Sequence, residues 1–318
     1  MIGLARRSLG ASGIDVSELA LGSWRTYERI PRETGIAVMS KARELGINFL
    51  DDARYNDETG MAPLKTGYSE VVFGELFRAS GWKREEVVLA NKLWWEFWPE
   101  QKAAAELDAS LQRMGMDYID LAYAERPPKG LEMEEIVHDV GALIDAGKLR
   151  AWGVLNWSAE LIGRATKVAA ELGVQPPCAA QLAYSLVRRS PVEDPKMAAA
   201  LDAAGAVVVA SFTLDGGALT GKYSSPGATG RLAQSLDDEL HQSALRTARR
   251  LSAFAARQGS TPAPMAIAFA LLNPRVASVL FGATTPKQVE ENVTAVDIVA
   301  ALDEETAADL RKIGEMNT

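Results

Sequence analysis

Eight short apolar runs, each followed by a longer amphipathic stretch, constrain this chain more than any other feature of its sequence. The runs fall at residues 18–23, 47–51, 87–92, 118–125, 149–155, 178–183, 206–211 and 276–282. Most are apolar nearly throughout, as parallel strands covered on both faces must be. Helix-like segments lie between them, among them 32–45, 100–114, 133–146 and 158–172. Leu45-Gly46, Ala146-Gly147 and Leu172-Gly173 read as helix ends with glycine in the left-handed position. Ser158 and Pro99 stand where helix starts are expected. Eight such units in 318 residues fit a single α/β domain over residues 1–318, a (β/α)8 TIM barrel. The alternative, a doubly wound sheet, lacks its usual G-x-G-x-x-G turn after the first strand. Residues 6–16, with Ser12-Gly13 at the turn, predict an N-terminal β-hairpin that plugs the barrel bottom. Residues 54–68 and 214–237 predict long loops at the C-terminal face, where lids and binding loops sit.

Several classes of function drop out at this stage. Acidic residues outnumber basic ones, 42 to 34, without a basic block, so nucleic acid is not an expected partner. Runs of about 18 apolar residues are absent, so no membrane partner is expected either. The start of the chain lacks the apolar core of a signal peptide, which fits a cytoplasmic location. One cysteine, Cys178, and two histidines, His138 and His241, argue against a zinc site and against a histidine-dependent triad, and no metal is expected.

In a barrel, residues at the C-terminal ends of the strands face the active site. Asp51, Lys92 and Glu125 end three consecutive runs, and Tyr55 lies just beyond Asp51. A lysine facing an aspartate stays charged. Its charge favours ionisation of a neighbouring tyrosine, which can then exchange a proton near neutral pH.

The order of motifs resembles the aldo-keto reductases, nearest their potassium-channel β-subunit-like and bacterial members. Ile47-Asn48-Phe49-Leu50-Asp51-Asp52-Ala53, Lys92 and Tyr118-Ile119-Asp120-Leu121 resemble the family's first half. Gly22-Ser23-Trp24 resembles its first-strand segment, and Gly153-Val154-Leu155-Asn156-Trp157 its GVSNF/W segment. Leu219-Thr220-Gly221-Lys222-Tyr223 resembles LLTGKY, and Gly282 to Asn292 resembles GAxxxxQxxEN. The resemblance implies a barrel oxidoreductase that uses NADP(H) on a small-molecule substrate. It implies that Asn156 and Gln181 hold the nicotinamide carboxamide, with Gly22, Ser23, Trp24, Ser211, Phe212 and Leu214 around it. It places Lys222 and Arg231 over the pyrophosphate, and Gly282, Thr284, Gln288, Glu291 and Asn292 at the adenosine phosphate end. Arg231 and Lys287 are the candidates for a 2′-phosphate, favouring NADP over NAD.

The chain departs from the family pattern at its catalytic end. Glu125 stands where the family has histidine. An ionised glutamate repels a developing oxyanion; a protonated one donates a strong hydrogen bond to it, and burial favours the protonated form. Glutamate at this position accompanies reduction of conjugated C=C bonds in the steroid 5β-reductase branch. Pairing of Glu125 with Arg126 is the other possibility. Asp52 replaces a threonine, and Leu155 replaces a serine beside Asn156. The spacing from Asp51 to Tyr55 is one residue short of DTAxxY, so Asn56 occupies the strict tyrosine register and the loop must rearrange to restore Tyr55. Ser211 stands where an aromatic usually stacks on the nicotinamide, and Phe212 points elsewhere if its strand is regular. The run Trp94-Trp95-Glu96-Phe97-Trp98 is either a wall for an aromatic or sugar-like substrate or loop packing. The leading expectation is an NADP(H)-dependent reductase of a carbonyl or conjugated enone, with Asp51, Tyr55, Lys92 and Glu125 catalytic. A non-redox lyase or isomerase using Asp52 and Glu125, and an NADP(H)-sensing regulatory module, are the alternatives.

Overall fold

A computed structural model describes residues 3–58, 60, 62–224, 228, 232 and 239–315. Two short strands, β1 (Arg6–Ser8) and β2 (Asp15–Ser17), pair antiparallel ahead of a closed barrel. The barrel strands are β3 (Leu19–Gly22), β4 (Phe49–Asp51), β5 (Val88–Leu93), β6 (Ile119–Ala124), β7 (Leu149–Leu155), β8 (Ala179–Ala183), β9 (Val207–Ser211) and β10 (Val276–Phe281). They pair in parallel in chain order, and β10 closes on β3. All eight fall on the expected runs.

Helices cover the outside: α1 (Arg32–Glu44), α2 (Tyr68–Ala79), α3 (Ala103–Met114), α4 (Met133–Asp145), α5 (Ala159–Leu172), α6 (Ser190–Glu193) and α7 (Pro195–Ala204). The later ones are α8 (Glu239–Arg257), α9 (Pro262–Leu271), α10 (Pro286–Val293), α11 (Ala295–Ala301) and α12 (Glu304–Glu315). Gly46, Gly147 and Gly173 take φ of 83°, 69° and 69°, as helix-terminating glycines should. Ser158 caps α5 by accepting from the Leu161 N–H. Pro99 is a correction: it lies in the turn before α3, whose cap residue is Lys102. Among the described residues no helix is long and apolar enough to cross a membrane.

The core has two layers. Leu19, Leu21, Leu50 and Leu89 point outward against the helices. Phe49, Ala90, Leu121, Tyr123 and Val209 point inward. Leu9, Ile14 and Val16 of the hairpin join the inner layer, so the hairpin does seal the bottom of the barrel. Gly10 makes that seat possible: its φ is 53°, and a Cβ there would collide with the backbone oxygens of Gly205 and Cys178. With the bottom filled, the barrel opens only at its C-terminal end.

Candidate active site

A cavity of about 910 Å³ occupies that end. Its lining includes Asp51, Tyr55, Lys92 and Glu125, and all of the expected cofactor residues except Ser23, Arg231 and Lys287. Arg231 lies outside the described residues, as does much of the loop expected at 214–237.

Lys92, on β5, is buried inside the barrel mouth. Its Nζ pairs with the Asp51 carboxylate and donates to the Asp52 carbonyl at 3.0 Å. The Gln181 amide donates to the other Asp51 oxygen at 2.9 Å. Asp51 thus accepts from its neighbouring strand and from β8 across the barrel mouth, and Gln181 is partly committed to it. Tyr123 lies beside the ammonium, with Nζ 5.7 Å from its ring centroid. Burial, and then the nearby Asp51 charge, push the Tyr123 phenol well above its ordinary pKa, so it stays neutral. Tyr55 is half-buried and, among the described residues, is the tyrosine that lines the same cavity as Lys92.

The shortened spacing is absorbed by a tight turn. The Tyr55 N–H donates to the Ala53 carbonyl at 3.0 Å and to Ser69 Oγ at 3.2 Å. Ser69, in the first turn of α2, donates its own proton to the same Ala53 carbonyl at 2.6 Å. Asn56 is exposed and bridges to Thr66 instead, so the residue in the strict register is turned away. The Tyr55 ring meets Trp94 edge to face at 6.2 Å.

The Trp94–Trp98 run divides its labour. Trp94 faces the cavity, whereas Trp95 is buried, and its indole N–H donates to the Glu125 carbonyl at 3.1 Å. Trp98 packs against the core and Phe97 lies under Arg54. The loop is pinned by Glu106, a buried carboxylate of α3 that accepts from the Trp94 and Trp95 N–H groups at 2.6 and 3.1 Å.

Glu125 follows β6 directly and is half-buried, which corrects the expectation of a buried carboxyl. Its Oε1 accepts from the Arg126 backbone N–H at 2.8 Å. The Arg126 guanidinium does not pair with it; its Nε donates to the Asn156 carbonyl at 2.8 Å. The carboxyl that burial does shift is Asp52. Its side chain leaves the cavity and accepts from Ser23 Oγ. Burial, and then the Glu70 charge, hold it well above the ordinary carboxylate range against the opposing pull of Ser23, the Ala53 N–H and Lys92. Ser23 therefore supports the wall from behind rather than forming it.

At the other end, Asn156 and Phe212 have φ of 53°. The left-handed turn at Phe212 breaks the strand geometry and swings its ring into the cavity, where it packs on Trp24 at 5.2 Å. An aromatic face is thus present although Ser211 holds the usual position. Beyond Thr213 and Leu214, Asp215, Gly216 and Gly217 again take positive φ, and Lys222 lies against Gly217 and the Tyr223 ring. Gln288, in the first turn of α10, accepts from the Thr284 N–H at 2.7 Å and its hydroxyl at 3.1 Å. Asn292 is buried, and Glu291 accepts from the Thr261 hydroxyl at 2.5 Å. Lys287 is exposed at the start of α10.

Sequence reasoning missed Arg25, Ser69, Glu106 and Thr213. Glu106 carried a signal, an acidic residue on an otherwise apolar helix stripe. Arg25 lines the cavity and pairs with Glu58 of the following loop, a contact that no local pattern encodes. His138 is exposed on α4, as a surface residue should be.

Comparison with known proteins agrees with this geometry. The sequence model of the Aldo/keto reductase family matches residues 18–315. The chain is 33% identical to a putative voltage-gated potassium channel subunit beta of Schizosaccharomyces pombe, over 98% of this chain and 92% of that protein. It is 32% identical to a probable voltage-gated potassium channel subunit beta of Oryza sativa subsp. japonica, over 94% of this chain and 93% of that protein. A barrel of this topology, a Lys92–Asp51 pair at its mouth and a family match across nearly the whole length lead to one conclusion: the chain belongs to the aldo/keto reductase family.

Proposed function

We propose that the protein is an NADP(H)-dependent oxidoreductase that reduces a carbonyl or conjugated enone of a small organic substrate. One observation carries this reading: a single cavity joins the Tyr55, Lys92 and Asp51 cluster to the Thr284, Gln288 and Asn292 segment.

The lining suits a dinucleotide. Phe212 and Trp24 offer aromatic faces, and Thr213 Oγ is buried without a hydrogen-bond partner among the described residues. Gly22 and Gly282 keep the wall between them low. Asn156 and Gln181 are the residues that would hold a nicotinamide, Lys222 a pyrophosphate, and Thr284, Gln288, Glu291 and Asn292 the adenosine end. The α10 N-terminus with Lys287 and Arg231 would favour the extra phosphate of NADP. When bound, the reduced nicotinamide supplies a hydride. The protein's part is to orient the substrate carbon and deliver a proton. Tyr55 gives its hydroxyl proton to the substrate oxygen, and the Lys92 ammonium, held by Asp51, stabilises the resulting phenolate. Glu125 stands beside the substrate's reacting group in place of histidine. Asp52 faces away from the cavity, which takes one of the two carboxylates from the lyase reading.

The test joins binding to turnover. NADPH is expected to bind at micromolar concentration by fluorescence titration, and a Tyr55→Phe variant should keep that affinity while losing about 10²–10⁴-fold in turnover. Absence of NADPH binding sinks the proposal. The relatives' description as channel subunits favours a second reading, a cofactor-sensing regulatory role. It gains ground if NADPH binds and Tyr55→Phe and Lys92→Met leave all detected turnover unaltered.

A further inference from the structure

Among the described residues, six charged ones line the cavity: Arg25, Asp51, Lys92, Glu125, Lys222 and Glu291. At the catalytic end the charges are balanced with one exception. Lys92 is neutralised by Asp51, and Arg25 by Glu58. Arg54, behind the Tyr55 loop, pairs with Glu96 at 2.8 Å. Lys222 and Glu291 belong to the opposite, cofactor-like end. Glu125 makes no ion pair among the described residues; a backbone N–H holds one of its oxygens. Arg126, the nearest cation in sequence, does not line this cavity. It lines, with Glu125, a neighbouring cavity of about 600 Å³, where its guanidinium is tied to the Asn156 carbonyl and not to the Glu125 carboxylate.

Aromatic faces line the same cavity. Tyr55 and Trp94 form one edge-to-face pair, and Trp24 and Phe212 form another. An uncompensated carboxylate among such faces opposes the build-up of negative charge on a substrate oxygen and attracts a positive charge.

We infer that the substrate is cationic at its reacting carbon, a protonated or N-alkylated imine, with Glu125 as its counter-ion. This rests on the NADP(H)-dependent hydride transfer of the reading above, and replaces its C=O or enone acceptor with a C=N+ bond that needs no proton from Tyr55. In the step, the iminium carbon takes up the hydride with its electron pair from the reduced nicotinamide, which is oxidised. The C=N π pair moves onto nitrogen and a neutral amine results. No proton from Tyr55 is needed, because the electron pair arriving at nitrogen neutralises its positive charge. The same carboxylate that hinders a ketone therefore stabilises the substrate here.

The test compares two probes of one ring skeleton in the NADPH-loaded full chain: an N-methyl cyclic iminium ion fused to benzene, and the corresponding neutral ketone. The wild-type protein is expected to favour the iminium ion by at least about tenfold in kcat/KM. Glu125→Gln should cut that ratio by roughly tenfold, and Tyr55→Phe should raise it. Binding gives a second readout. The saturated N,N-dimethyl ammonium analogue should bind the NADPH complex about tenfold more tightly than its neutral carbon counterpart, and Glu125→Gln should erase the difference. A wild-type preference for the ketone overturns the inference, as does an iminium preference or cation preference that survives Glu125→Gln. Failure with both probes in turnover together with equal binding of the two analogues also overturns it. Intact NADPH binding with any of these results removes this inference alone; loss of NADPH binding removes the reductase reading as well.

Discussion

Asp52 shows how one residue separates a cost in stability from a role in chemistry. It is fully buried, its Oδ1 is bonded to Ser23, and its Oδ2 has no hydrogen-bond partner among the described residues. Burial, then Glu70, raise its pKa above the unfolded value. Such a group contributes stability that is fully present below the unfolded pKa and is lost as pH rises toward the folded one. Asp52→Asn keeps the shape without the titration. The variant should therefore gain on the wild type as pH rises above about 4, by about 1.4 kcal/mol per pH unit until the folded pKa is reached. Urea midpoints for both proteins between roughly pH 4 and 7 check this, and parallel pH curves would contradict it. Its position in the sequence flagged Asp52 as unusual, yet its direction was not legible. Consecutive strand residues face opposite sides, so Asp51 and Asp52 could not both enter the cavity, but which one does depends on the barrel register. Tyr55 was readable only as a candidate, because the turn that places it depends on Ser69 from another element. Phe212 was named among the cofactor residues, but the direction of its ring was not legible, because regular strand geometry was assumed where φ is 53°.

At the scale of elements the strands were the most legible part, because full burial on both faces makes each run apolar and short. The start of α3 was not: Pro99 suits a helix start, but it lies in the turn that carries the tryptophan loop over to Glu106. Helix packing makes a sharper demand than helix propensity. Gly74 of α2 lies against the backbone carbonyl of Met114 at the end of α3, and a Cβ there would collide with it. Gly163 of α5 has nothing within 4 Å of a Cβ. Alanine at the two positions should therefore act with opposite sign. Gly74→Ala should destabilise by about 1–3 kcal/mol as the two helices are forced apart. Gly163→Ala should stabilise by about 0.5–1 kcal/mol, the ordinary helix preference. Denaturant unfolding of the pair reads the contrast; two shifts of the same sign would mean that α2 and α3 do not meet as closely at Gly74.

Across the whole molecule, one end of the barrel is sealed and the other is open, and the two ends are joined by the strands and by the inner layer that fills them. Leu9 of the hairpin is fully buried with Phe49, Leu121 and Val209 of the inner layer, whereas Tyr55, Trp94 and Phe212 line the open mouth. The inner layer is rich in alanine, with Ala20, Ala90, Ala151 and Ala179 among its members, so the hairpin supplies bulk that the strands do not. Removing that bulk leaves a cavity that a closed barrel cannot readily collapse, because its strands are fixed in a ring by their hydrogen bonds. Leu9→Ala should cost about 2–5 kcal/mol of stability. Its effect on cofactor affinity should be within about twofold, because Leu9 does not itself line the cavity and reaches it only through the packed inner layer. Urea unfolding and an NADPH fluorescence titration on the same variant measure the two quantities. A large loss of affinity alongside the loss of stability would show that packing at the sealed end reaches the mouth through the strands.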